Sequence, residues 1–183
     1  WQTRVGRGLK GRTLGLIGLG NLGGRVARIG VAFGMNVLAW SQNLTHGRAG
    51  EVGAQFASKE EVLRQSDVIS IHLVLSERSR GLVGASDLAL MKRDAYLVNT
   101  SRGPIVDEAA LVEALQHNRI GGAGLDVYNV EPLPKDHPLR RLPNVLLTPH
   151  VGYVTDDNYA VFYREVVEDL KGFLEGKPVR VLQ

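Results

Sequence analysis

The 183 residues are 44% hydrophobic and 22% charged, with a formal net charge of +3, the make-up of a soluble domain with one well-packed core. No basic run is longer than Arg140-Arg141, so nothing suggests the clustered cationic face of a nucleic-acid binder. Cysteine is absent, which excludes disulfides and thiolate metal sites and permits a reducing cytoplasm; the longest mostly apolar stretch, IGVAFGMNVLAW, is too short and glycine-broken to span a bilayer. No basic-then-apolar secretory segment opens the chain. It begins at Trp1 and reads as a start in mid-protein.

In chain order, the apolar runs TLGLIGL (13–19), NVLAW (36–40), DVISIHL (67–73), AYLVNTS (95–101), GGAGLDVY (121–128) and NVLLTP (144–149) are candidate strands. Helical patterns fall between them, near 21–34, 58–65, 86–91 and 107–118. Ser58 with Glu61 makes a capping box, and Asp107 is placed to cap the last of these helices. The third strand is almost wholly apolar, as a strand covered on both faces must be. Such alternation predicts a parallel sheet sandwiched by helices. From Thr155 to Glu175, Tyr159, Phe162, Val166, Leu170 and Phe173 recur at helical steps, and Gly176 and Pro178 stop the pattern. That stripe either packs on the same core or serves a neighbouring domain or subunit.

The stretch GLGNLG sets Gly18, Gly20 and Gly23 between a strand and a helix. Gly18 allows the tight turn, Gly20 lets a pyrophosphate approach the backbone, and Gly23 lets helix and strand pack closely. Amides at the helix start, those of Asn21 and Leu22, then face the phosphates. A glycine turn alone is a weak signal, since 22 of the 183 residues are glycine. Its place after a strand and before a helix, in the first of several βα units, points to a dinucleotide in a Rossmann-type, doubly wound sheet.

An acid expected about 20 residues farther on would hold the adenosine ribose of NAD. Ser41, Gln42 and Asn43 stand there instead. This neutral cluster can still bond a ribose hydroxyl, and it does not repel a 2′-phosphate, with which Arg48 is near enough in sequence to pair. The expectation is NAD or NADP, with a lean towards NADP or dual use.

Three later stretches, NTSRGPIVDE (99–108), GLDVYNVEPLP (124–134) and LLTPHVG (146–152), follow or end predicted strands. The carboxyl ends of strands line the ligand crevice of a doubly wound sheet, so Arg102, Asp126, Glu131 and His150 are expected to converge there. With these motifs in order, the chain resembles the D-isomer-specific 2-hydroxyacid dehydrogenases, and in particular their nucleotide-binding domain, from LKGRTLGLIGLGNLG to GKPVRVL. The resemblance implies hydride transfer between a nicotinamide cofactor and C2 of a small 2-hydroxy or 2-oxo acid. It implies Arg102 as the substrate arginine, Glu131 as the acid that orients the histidine, and His150 as the proton donor and acceptor.

The residue chemistry suits those roles. Arginine grips a carboxylate with a planar fork. Histidine titrates close to working pH, and a neighbouring carboxylate favours its charged form. The resemblance further puts Asp126 and Thr100 near the nicotinamide, Val74 and Leu75 at the adenine and ribose, and Ser79, where threonine is usual, on the phosphates. It also puts Gly152, at the close of the histidine motif, among the cofactor-binding residues. It implies residues 1–152 as the NAD(P)-binding domain and 153–183 as a helix and tail returning to a largely absent substrate domain, so that this chain alone binds cofactor and turns over poorly. It also implies a homodimer through the nucleotide domains.

His46, His117 and His137 read as surface residues. His72 reads as strand-end packing or a cofactor-side group. No HExxH pair offers a zinc site and no GxSxG elbow a hydrolase; no metal, nucleic acid or membrane is expected. Glu131 argues against the formate dehydrogenase branch, which typically carries glutamine there. A nucleotide-sensing protein of the C-terminal-binding corepressor type shares the resemblance and stays open beside the enzyme.

Overall fold

In the computed structural model, which describes residues 5–181, the first apolar run becomes β1 (Thr13–Ile17) and leads into α1 (Asn21–Ala32). There follow β2 (Asn36–Trp40), α2 (His46–Gly50), β3 (Gln55–Phe56), α3 (Lys59–Gln65), β4 (Val68–Ile71), α4 (Ala85–Leu88) and β5 (Tyr96–Asn99). The order closes with α5 (Glu108–Gln116), β6 (Gly122–Leu125), β7 (Val145–Leu147) and α6 (Asp156–Leu174). All seven strands pair in parallel in one sheet, in the spatial order β3-β2-β1-β4-β5-β6-β7. The order reverses between β1 and β4, and a crevice opens at such a switch point beyond the carboxyl ends of the strands.

The expected parallel sheet with helices is therefore present, and its two faces carry separate cores. Leu14, Leu16, Val37 and Ala39 pack with Ala27 of α1 on one side. Ile17, Ile69, Ile71 and Leu97 pack with Val62 and Leu63 of α3 and Leu111 and Leu115 of α5 on the other. Burying side chains of this size is worth roughly 1.5–3 kcal/mol each, so the double cover supplies most of the driving force that holds the strand ends in place.

Local signals read from the sequence form as expected. Ser58 Oγ accepts from Glu61 N at 3.1 Å while Glu61 Oε2 accepts from Ser58 N at 2.7 Å, and Asp107 Oδ1 accepts from Ala110 N. Two further elements lie outside the expected set. β3 has only two residues, too few for alternation, and its neighbour Ala57 is tied by its amide to Ala39 O at 3.0 Å. α2 has five residues and starts at the Thr45 cap. The helix expected at 86–91 spans only 85–88, because Leu90 N and Met91 N turn to Asp87 O and Leu88 O in tighter i to i−3 bonds.

The chain divides into a unit that ends at Pro149 and one that begins at His150. In the second, Thr155 caps α6 through Asn158 N at 3.1 Å, and no side chain of α6 is buried. Arg180 clasps Glu168 and Asp169, each at 2.9 Å, and so folds the tail back on its helix. Among the described residues, no helix is long and apolar enough to cross a membrane.

At the amino edge of the sheet Asp67 binds three strands' surroundings at once. Its Oδ2 accepts from Thr13 N at 2.7 Å and its Oδ1 from Lys92 Nζ at 3.0 Å, with Arg12 3.7 Å away. Burial pushes this carboxyl up, but the Thr13 amide, Lys92 and Arg12 outweigh burial and hold it below the ordinary carboxylate value. A depressed folded pKa contributes stability above the unfolded value, about 3.9, that is lost as pH falls through the folded one. Asp67→Asn is expected to destabilise the protein by about 1–3 kcal/mol near neutrality, and urea unfolding should show that deficit shrinking at pH values below the carboxylate range.

Candidate functional site

Three βα turns build a cavity of about 540 Å³ at the carboxyl ends of β1, β2 and β4. It is lined by Gly18, Leu19 and Gly20 after β1, by Trp40 to Leu44 and Arg48 after β2, and by His72 to Val74, Ser76, Arg78, Ser79 and Leu82 after β4. No carboxylate is among these residues.

Two of the glycines are fixed by the protein itself. Gly18 has φ +103°, and a Cβ there would meet His72 O at 2.3 Å. A Cβ on Gly23 would meet Gly18 O at 2.2 Å. Gly20 differs: it has φ −82°, and nothing lies within 4 Å of where its Cβ would be. Neither the fold nor the backbone conformation demands glycine at Gly20, yet the space beside it opens at the start of a helix that no side chain caps. An uncapped N-terminus with approachable backbone is suited to phosphate oxygens. The residues present therefore fit a dinucleotide pyrophosphate, with Asn21 and Leu22 exposed in the first turn of α1 and Leu22 68% accessible.

Ser41, Gln42 and Val74 line the cavity, and Val74 is 85% exposed. Leu75 does not line it. Its half-buried side chain packs against the larger core instead. Ser79 lies at the cavity but is buried, and its hydroxyl is engaged inside its own turn: Oγ donates to Val74 O at 2.7 Å and accepts from Ser76 N at 2.8 Å. Its first task is thus to shape the loop. His72 also lines the cavity; burial lowers its pKa, which keeps the imidazole neutral, and Nε2 lies 2.9 Å from Ser70 Oγ.

Farther along the same edge, the turns after β5 and β6 are stitched together. Asn99 is fully buried, and its amide accepts from Ser101 N at 3.0 Å and donates to Arg102 O at 2.9 Å. Ser101 Oγ donates to Ile71 O at 2.7 Å, across to β4. A Cβ on Gly103 would meet the Tyr128 carbonyl at 2.1–2.2 Å, so only glycine lets the Arg102 loop lie on the DVYNVE loop. Arg102 itself is exposed, with Nη1 donating to Ser101 O at 2.6 Å. Thr100 is exposed at the end of β5. Asp126 is buried, takes a hydrogen bond from Thr148 Oγ1, and donates its amide to Asn99 O at 3.0 Å. Glu131 Oε1 accepts from Tyr128 N at 2.9 Å.

Arg102, Asp126 and Glu131 thus share the carboxyl edge of one unit. His150 and Gly152 belong to the unit that follows, where His150 adopts φ +56° and sets its ring edge-on to Tyr153 at 6.0 Å. A left-handed backbone at a non-glycine residue is costly and tends to be kept where a side chain must be aimed. His46 and His117 stay exposed, as expected of surface residues. His137 does not: its Nε2 is 3.3 Å from Glu108 Oε1 with both side chains about four-fifths buried, and Nδ1 accepts from Leu139 N, which gives it a structural place. Asn99, Gly103 and Arg78 were not singled out by sequence; only their neighbourhood in motif-bearing stretches hinted at them.

The profile of the D-isomer specific 2-hydroxyacid dehydrogenase NAD binding domain matches residues 1–152. A glyoxylate reductase of Aeropyrum pernix is 45% identical over 173 residues, which cover 94% of this chain and 52% of that protein. This chain therefore spans about half the length of that relative. The crystal structure of a phosphoglycerate oxidoreductase from Vibrio cholerae superposes with a TM-score of 0.89 at 42% identity, covering 94% of this chain and 56% of the other. An acyclic imino acid reductase solved with NADPH and D-Arg superposes at 0.80 with 34% identity, over 98% and 56%. With a glycine turn, a doubly wound sheet and the ordered downstream motifs all in place, the chain belongs to the D-isomer-specific 2-hydroxyacid dehydrogenase family, as its NAD-binding domain.

Proposed function

We propose that the chain is the cofactor-binding part of an NAD(P)-dependent oxidoreductase that moves a hydride between nicotinamide and C2 of a small 2-hydroxy or 2-oxo acid, of the glyoxylate or hydroxypyruvate kind. The observation that carries the proposal is Gly20, a glycine that the fold does not need beside an uncapped helix start. A nicotinamide cofactor bound there would supply the hydride. Arg102 grips the substrate carboxylate and polarises the adjacent carbonyl. His150 gives a proton to the carbonyl oxygen in reduction and takes it back in oxidation. Glu131 is the acid that orients this imidazole and fixes its tautomer. The buried Asp126 and the exposed Thr100 serve the nicotinamide end.

The proposal extends to the assembly: residues 1–152 hold the cofactor, and 153–183 return to a second domain that completes the substrate pocket. We further infer a homodimer working in the cytoplasm, on the family resemblance and the cysteine-free sequence. A corepressor-type sensor has no observation in its favour, since the relative and neighbours described above carry the names of reductases and an oxidoreductase.

The direct test is a steady-state assay of the full-length protein with NADH and NADPH against a panel of 2-oxo acids. Turnover of glyoxylate or hydroxypyruvate is expected, with the isolated 183 residues binding cofactor but slow; tight cofactor binding with silence across the panel would favour the sensor instead. Gly20→Ala is expected to leave stability within about 1 kcal/mol, since it trades a weaker cap against a stiffer unfolded chain. The same substitution should weaken both NADH and NADPH, and unchanged titration curves would remove the pyrophosphate from this turn. Ser41→Asp restores the ribose-binding acid and is expected to shift the ratio of dissociation constants towards NADH by at least tenfold, on the order of one charge repulsion near a phosphate. An unmoved ratio would overturn the NADP lean.

A further inference from the structure

We propose that Arg78, on the turn after β4, is a specificity-determining residue for an adenosine that carries a 2′-phosphate, acting with Arg48 as a two-armed clamp; this rests on the dinucleotide reading above. The two guanidinium groups belong to different walls of one cavity, Arg48 to the β2 side and Arg78 to the β4 side. No acid shares this lining, whose other polar residues include Ser41, Gln42, Asn43 and Ser76. Arg7, Arg12, Arg64 and Arg119 each bridge to an acid. Among the described residues, Arg48 and Arg78 enter no ion pair, and neither guanidinium donates a hydrogen bond.

The turn that carries Arg78 is built to hold it. Ser79 Oγ bonds Val74 O at 2.7 Å and Ser76 N at 2.8 Å, while Ser79 N and Arg80 N both bond Ser76 O at 3.0 Å. The two residues that follow Arg78 are thus pinned to the start of the turn, which limits the directions its side chain can take from a short, tied loop. Holding a cation in advance lowers the ordering cost of binding. A phosphate monoester presents three oxygens and close to two negative charges, which two planar forks satisfy more fully than one. A bare ribose hydroxyl offers neither the charge nor the oxygens, so the arrangement discriminates rather than merely attracts. Ser79 then acts as a positioning residue for Arg78.

The test is isothermal titration of the protein with adenosine 2′,5′-bisphosphate and, separately, with 5′-AMP. The bisphosphate is expected to bind wild type more tightly. Arg78→Gln should weaken it roughly tenfold or more, as loss of a charge-assisted hydrogen bond does, and leave 5′-AMP within about twofold. Ser79→Ala, which loosens the turn and keeps the charge, should give a smaller loss with the same selectivity, and Arg93→Gln, at the far edge of the sheet, should change neither ligand. Equal weakening of both nucleotides by Arg78→Gln, or no weakening of the bisphosphate, overturns the clamp while the dinucleotide site stands. Failure of wild type to bind either nucleotide overturns the dinucleotide reading and the clamp together.

Discussion

Backbone lies directly against backbone at the carboxyl edge of this sheet, and the site depends on it. Gly18 meets the His72 carbonyl, Gly23 meets the Gly18 carbonyl, and Gly103 meets the Tyr128 carbonyl, each at a separation that leaves no room for a Cβ. The first contact presses the turn after β1 onto the end of β4 and the second presses α1 onto that turn, and together they set the floor of the cavity. The third presses the loop bearing Arg102 onto the loop that leads to Glu131. Interiors resist such changes because they are packed to crystal-like density, so these contacts transmit the order of the sheet into the loops above it. The two cores beneath, one on each face, supply the rigid base.

Hydrogen bonds complete what those contacts begin. Asn99 ties both sides of the Arg102 turn, Ser101 reaches back to β4, and Ser79 closes the loop that carries Arg78. All three are small polar residues placed one to three positions from a cation. Their side chains are committed to backbone, where they replace the ladder bonds that the strands no longer provide. The charged groups can therefore be exposed without being loosely held. At the opposite edge Asp67 does the corresponding work for stability, binding Thr13, Lys92 and Arg12 where no ligand is expected. Stability and chemistry are served from different ends of the same strands.

Much of this was legible in the residues, and the boundary of legibility has a physical cause. Apolar periodicity located six of the seven strands, because burial imposes a period that the sequence must carry; it also located α6, whose apolar stripe is not buried among the described residues. Capping by Ser58 and Asp107 was legible for a similar reason, since a cap is a local bond between neighbours. The two-residue β3 was not, for it has no room to alternate. Within the site, the glycine turn and the cavity-lining Ser41, Gln42 and Val74 could be found by position. Leu75 and Ser79 could not be placed by position alone: which way a loop residue faces is decided by bonds such as Ser79 to Val74, and these leave no periodic trace. Arg78 and Asn99 were overlooked for the same reason, as their importance lies in what lies across the cavity or the turn.

The three glycines of the first turn differ in what guards them. A side chain at Gly18 or Gly23 collides with the protein's own carbonyls, so such a chain would misfold and be cleared by the machinery that recognises exposed apolar surface. A small side chain at Gly20 collides with nothing in the protein. Such a chain would pass every cellular inspection of folding and persist at normal abundance, deficient only in what it can hold. Variation at that position is thus felt at the open helix start and not in the core.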